Sequence, residues 1–178
     1  MSRTTLYAVG ADGEVQEYAE FRNSHGSAGY VWRVMGDRYI GPDAYSTALF
    51  SDGMQRLWDL WRDTILPLHH RAVMLFTFDH VMVRAEDFVR LAEDMEAFVR
   101  DFYPDGSACS LPEQAATLRE MATEKGIRGA CWQQTRVAES LWYVYGDEGD
   151  DEGRAYNIDV DDKHWWLYET LNAAVATV

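Results

Sequence analysis

Five of the six residues from 147 to 152 are acids: Asp147, Glu148, Asp150, Asp151 and Glu152, broken only by Gly149. Clustered carboxylates can chelate a hard cation, face a basic partner, or stay solvated. As a calcium loop, Gly153 would take the sixth position and Glu148, Asp150, Glu152 and Asp159 would be ligands. The loop departs from that pattern. It opens on a glutamate, has Ala155 at the eighth position, and lies between strand-like segments where helices are required.

A second acidic series has a different geometry. Asp87, Asp94 and Asp101 recur every seven residues, with Glu86 and Glu93 beside them. On a helix, seven residues rise about 10.5 Å, so the three aspartates form a ladder along one flank. Such a ladder can imitate a phosphate backbone, or it can be the wet side of an amphipathic helix. A third arrangement, Asp161-Asp162-Lys163, fits an acid-x-Lys pattern in which a magnesium ligand is followed by a charge-stabilising lysine. With Asp147, Asp151 or Asp159 as a second ligand it suggests a metal-dependent hydrolase or nuclease using Asp159, Asp161 and Lys163.

The remaining chemistry-bearing residues give weaker signals. Adjacent His69 and His70 would point apart on a regular element, unlike the i, i+4 pair that zinc favours on a helix, and His80 follows Asp79 without a spaced partner. Cys109 and Cys131 read as small buried or half-buried thiols, with no Cys-x-x-Cys pair. The string from Asn23 to Ala28 combines a helix cap, His25 and Gly26, and reads as a capping turn or an anion-holding helix start. No nucleophile elbow, phosphate-binding glycine loop or dinucleotide fingerprint occurs, so no cofactor is expected.

These residues need a scaffold. Runs 4–10 and 14–21 flank Ala11-Asp12-Gly13, a strong hairpin signal, with Val15, Glu17, Ala19 and Phe21 expected on one face. A helix follows, bearing Ala28, Val31, Trp32, Met35 and Tyr39, and another after Gly53 carries Leu57, Trp58, Leu60 and Trp61. Residues 70–78 are apolar at both parities and read as a central strand, which Val81, Met82 and Val83 continue or pair with. The clearest helix spans 85–102, where Phe88, Leu91, Met95, Phe98 and Phe102 form a stripe. Another opens at Ser110, with Glu113 completing a capping box and Gly126 as its C-terminal cap. Strands are expected at 127–135, 141–145 and 155–160, and a last helix includes Trp165, Trp166, Leu167 and Leu171. The pattern predicts one α+β domain over residues 1–178, with a largely antiparallel sheet and about five helices packed against it.

The chain carries a formal charge of −14, concentrated in residues 86–105 and 147–162. That balance opposes direct binding to nucleic acid or an anionic membrane. No signal-type leader or membrane-length apolar run is evident, which predicts a cytoplasmic protein. Small size, concentrated acidity, 24 aromatic residues and no catalytic signature together resemble the style of phage or mobile-element accessory proteins. Some of those, anti-CRISPR-like inhibitors of host defence among them, occupy nucleic-acid sites. The leading expectation is a non-enzymatic protein that docks on a basic, nucleic-acid-handling partner. Its contacts would be Asp147, Glu148, Asp150, Asp151, Glu152, Asp87, Asp94 and Asp101. The metal-dependent hydrolase is the alternative, and a structural or self-assembling protein a second.

Overall fold

A computed structural model describes residues 3–22, 28–49, 53–103, 109–134, 140–145 and 153–176. The chain opens with β1 (Arg3–Val9) and β2 (Val15–Arg22). Helices α1 (Ala28–Tyr39), α2 (Ala44–Ala48) and α3 (Met54–Trp58) follow, α3 running into a 3-10 turn at Asp59–Arg62. Next come α4 (Leu68–Leu75), β3 (Val81–Arg84), α5 (Phe88–Phe102) and α6 (Leu111–Met121). The chain continues through β4 (Gly129–Gln133), β5 (Tyr143–Val144), β6 (Arg154–Ala155), β7 (Trp165–Trp166) and α7 (Leu167–Ala176). Five strands form one mixed sheet in the order β2-β1-β4-β3-β7, antiparallel except for the β3–β7 pair, and β5 and β6 form a separate ribbon. The result is an α+β domain with seven α-helices among the described residues, two more than expected.

The hairpin forms where the Asp-Gly signal places it. Gly13 takes φ +84°, a left-handed conformation that side chains disfavour, and Asp12 accepts the Glu14 amide at 3.1 Å. The expected single face of β2 does not persist. The register with β1 shifts between Leu6↔Ala19 and Tyr7↔Glu17, leaving Tyr18 as the extra residue of a bulge. Phe21 therefore packs with Leu6, whereas Val15 packs with Tyr7 and Val9 on the other face of the sheet.

That division organises the molecule. On one side, Leu6, Val81, Val83, Ala130 and Trp132 meet the helices in the larger core. On the other, Tyr7, Val9, Met82 and Cys131 are covered by Trp142 and Tyr156 from the ribbon and the segment after it. Both parities of β1, β3 and β4 are buried because both faces of the sheet are covered.

Residues 70–78, expected as the central strand, are mainly the end of α4, and β3 follows at Val81. Pro67 precedes α4, where its fixed backbone angle and missing amide cost nothing, and its carbonyl accepts from His70 and Arg71 at 3.0 and 3.2 Å. Residues Ala72 to Leu75 are fully buried, so this stretch of the helix has no wet side to reveal its period. Trp165 and Trp166, expected in the last helix, instead form β7. Trp166 pairs with Met82, and the Trp165 amide donates to the His80 carbonyl at 2.9 Å. The helix begins at Leu167. At α6 the Ser110 side chain makes no capping bond and instead accepts from Gln114 at 3.0 Å. The helix ends at Met121, and Gly126, at φ +90°, lies beyond it.

Candidate functional site

The stripe Phe88, Leu91, Met95 and Phe98 anchors α5 in the core and fixes where its acidic ladder points. The ladder follows a seam between helices. Asp94 is half-buried and accepts a hydrogen bond from the Tyr168 hydroxyl of α7 at 2.6 Å. The Arg90 guanidinium sits 3.8 Å above the Tyr168 ring and 3.7 Å from Asp87. Burial pushes the carboxyl pKa values of Asp87 and Asp94 up, with Arg90 and the Tyr168 hydroxyl partly opposing it. Asp101 lies over α4. Glu86 and Glu93, by contrast, are exposed, and Glu96 pairs with Arg119 at 2.9 Å.

At Asp101 the geometry is the most convergent in the described structure. His69 Nε2 lies 2.7 Å and His70 Nε2 2.8 Å from the same carboxylate oxygen, Oδ2. His70 is buried, wedged between the rings of Phe98 and Phe102, with centroids 5.5 and 4.8 Å away. Its Nδ1 is hydrogen-bonded to the Tyr39 hydroxyl of α1. Burial is the main influence that lowers the His70 pKa to about 4, with His69 adding to it, so the imidazole is neutral at pH 7. The bond from His69 chiefly holds the Asp101 carboxyl below the usual range. Arg38 donates to the Asp101 main-chain carbonyl at 3.2 Å and leans over Phe102. Burial raises the Tyr39 phenol pKa, with the Arg38 charge partly opposing it.

Asp147, Glu148, Asp150, Asp151 and Glu152 lie outside the described residues, as do Asn23 to Ser27. The strands at either end of the loop are placed. Tyr143 and Tyr145 are exposed there with rings 5.0 Å apart, and Trp142 is buried against Tyr156 at 5.3 Å. Beyond β6, Arg128 clasps Asp159 through two bonds of 2.6 and 2.8 Å, and Arg154 clasps Asp161 through two of 2.7 Å. Asp159 and Asp161 thus turn to different arginines rather than to a shared cation position, and Lys163 is exposed. The Asn157 side chain donates to the Asp12 carbonyl at 3.1 Å, joining this segment to the first hairpin. Beside that hairpin an open hollow of about 450 Å³ is lined by Asp12, Glu17, Tyr18 and Glu124. The Tyr18 hydroxyl bonds to Glu124, and this bond pushes the phenol up to about 12.

Helix α5 packs into the helical core, whereas Trp142 and Val144 at β5 pack on the other face of the sheet. Sequence reasoning missed the His69–His70–Asp101 cluster. Neighbours on a helix do diverge, by about 100°. Here an acid from a second helix reaches both rings, which local spacing does not encode. Burial pushes the Cys131 thiol well up, as expected of an inert core cysteine. No helix among the described residues is long and apolar enough to cross a membrane. Comparison with protein-family models, curated proteins and solved structures finds no match to this chain.

Proposed function

We propose that the protein is a non-enzymatic binding module that docks its ribbon face on a basic surface of a nucleic-acid-handling partner, as a nucleic-acid mimic. The observation that carries this reading is the concentration of acid along the chain between β5 and β6, where Asp147, Glu148, Asp150, Asp151 and Glu152 fall in sequence. Arg128 and Arg154 already hold Asp159 and Asp161, so their charge is committed. Exposed Tyr143 and Tyr145 add flat amphipathic area of the kind that anchors interfaces. Asp87, Asp94 and Asp101 contribute less to this reading than their spacing suggests, because arginine, tyrosine and histidine partners engage them inside the fold.

Docking of this kind is steered by charge and weakens with salt. The test is retention of partners from lysate at low and high salt, with duplex DNA as competitor. It would use the native chain, a variant with the five loop acids changed to amides, and a control carrying Glu86→Gln and Glu93→Gln. A nucleic-acid-binding protein retained by the native chain and the control, released by salt or DNA and lost with the loop variant, is the expected result. Equal retention by all three chains would refute the proposal.

A further inference from the structure

Three donors from two helices converge at one point beneath α1. His69 Nε2, His70 Nε2 and a carboxylate oxygen of Asp101 all lie within 4.8 Å of one another, the only such trio of His, Cys, Asp or Glu among the described residues. We propose that His69, His70 and Asp101 form a binding site for a zinc-class transition-metal dication, with its remaining coordination open to solvent. The proposal is independent of the docking reading.

The donor set is the first argument. Two imidazoles and a carboxylate make up a recurrent protein set for zinc and its first-row neighbours when water completes the shell. A helix clamp needs one histidine on Asp101, yet two nitrogens are directed at the same oxygen. Metal–ligand bonds of about 2.0–2.1 Å at tetrahedral angles place donors about 3.3 Å apart. Present nitrogen–oxygen separations of 2.7 and 2.8 Å fall about half an ångström short of that, and the exposed Asp101 side chain has room to retreat. The two nitrogens, within 4.8 Å of each other, close on the ion.

The geometry behind the donors also suits a metal. On metal binding through Nε2, the His70 ring proton sits on Nδ1 and donates to the Tyr39 hydroxyl. This second contact fixes ring and tautomer, as outer partners of metal-bound histidines do. His69 is partly exposed and Asp101 exposed, so these two donors reach solvent. The charge around the site then selects the class of metal. Arg38, bound to the Asp101 carbonyl, offsets the single carboxylate, so affinity rests on nitrogen coordination rather than on net negative charge. Calcium and magnesium, which require several oxygens, are poor occupants.

The test titrates the chelator-stripped full-length chain with Zn²⁺ against a chromophoric competitor, and with Co²⁺ read by its visible absorption. His69→Gln and Asp101→Asn remove exposed donors and spare the buried His70, with near-UV circular dichroism verifying the fold. The five-amide loop variant separates this site from the acidic loop. One Zn²⁺ per chain is expected, about ten-fold or more weaker in His69→Gln and Asp101→Asn, unchanged in the loop variant, and resistant to excess Ca²⁺ or Mg²⁺. Absence of one-to-one binding, equal affinity in the donor variants, or loss in the loop variant would overturn the proposal and leave the trio a hydrogen-bonded clamp.

Discussion

Replacing Trp142 by alanine tests whether the ribbon that carries the acidic loop is rigidly joined to the sheet. Trp142 is 2% exposed, its ring meets Tyr156 and His80, and its indole N–H donates to the Trp132 carbonyl at 3.1 Å. A buried aromatic ring removes about 150–250 Å² from water, worth about 4–6 kcal/mol at 25 cal/mol per Å². The real loss is smaller, because an unfolded chain already covers part of that surface. Core truncations of this kind cost about 3–5 kcal/mol, and the orphaned carbonyl adds about 1 kcal/mol. Trp142→Ala should therefore destabilise by about 4–6 kcal/mol, a large share of the 5–15 kcal/mol typical of a domain. Urea unfolding at pH 7 should show the midpoint falling by about 2 M at an unchanged slope. Trp142→Phe keeps most of the ring and loses the N–H, and should cost about 1–2 kcal/mol. A cost below about 1 kcal/mol for the alanine variant would refute the argument that the second core holds the ribbon to the sheet.

Other perturbations separate local effects. Tyr39→Phe removes the hydroxyl bonded to His70 Nδ1 and should cost about 1–2 kcal/mol in the same urea experiment. Asp94→Asn keeps an acceptor for Tyr168 and removes a half-buried charge. The raised folded-state pKa of Asp94 makes its contribution complete below the unfolded value of about 3.9 and lost as pH rises through the folded value. The variant should be as stable as the native chain or more so at pH 7, and its melting temperature should fall less between pH 4 and 7. Gly13→Ala places a side chain at φ +84° with its Cβ 2.6 Å from an Asp159 oxygen, and should cost about 1–3 kcal/mol by thermal melting. Adding Asp159→Ala relieves that clash but neither the one with Asn157 Oδ1 at 2.7 Å nor the backbone strain, so the double variant should recover only part of the loss.

What was legible in the sequence was what local chemistry specifies. The Asp12-Gly13 turn and the α5 stripe both appear where expected, because an Asp-Gly turn and a 3.6-residue period need no distant partner to be recognised. The α4 segment was misread for the complementary reason. From His70 to Leu75 every residue of α4 is buried, so that stretch shows no period, and its apolar run matches a strand buried on both faces equally well. The β2 bulge is likewise invisible along the chain. Val15 and Phe21 share a parity, and only pairing with β1 reveals that Tyr18 moves them to opposite faces.

The candidate sites divide along the same line. Heptad spacing places Asp94 and Asp101 on one flank of α5, with Asp87 in the 3-10 turn just before it, yet spacing cannot say what that flank meets. It meets Tyr168 and the two histidines of α4, so two of the rungs are hydrogen-bonded within the fold and one becomes a candidate ligand. A count of acids along a sequence treats such groups as free charge, whereas a partner feels only what the fold leaves uncompensated. By that measure Arg128 and Arg154 remove Asp159 and Asp161 from the ribbon's account as well. The long-range electrostatic role is proposed for Asp147, Glu148, Asp150, Asp151 and Glu152 and the short-range coordinating role for His69, His70 and Asp101, so each can be removed by mutation without changing a residue of the other.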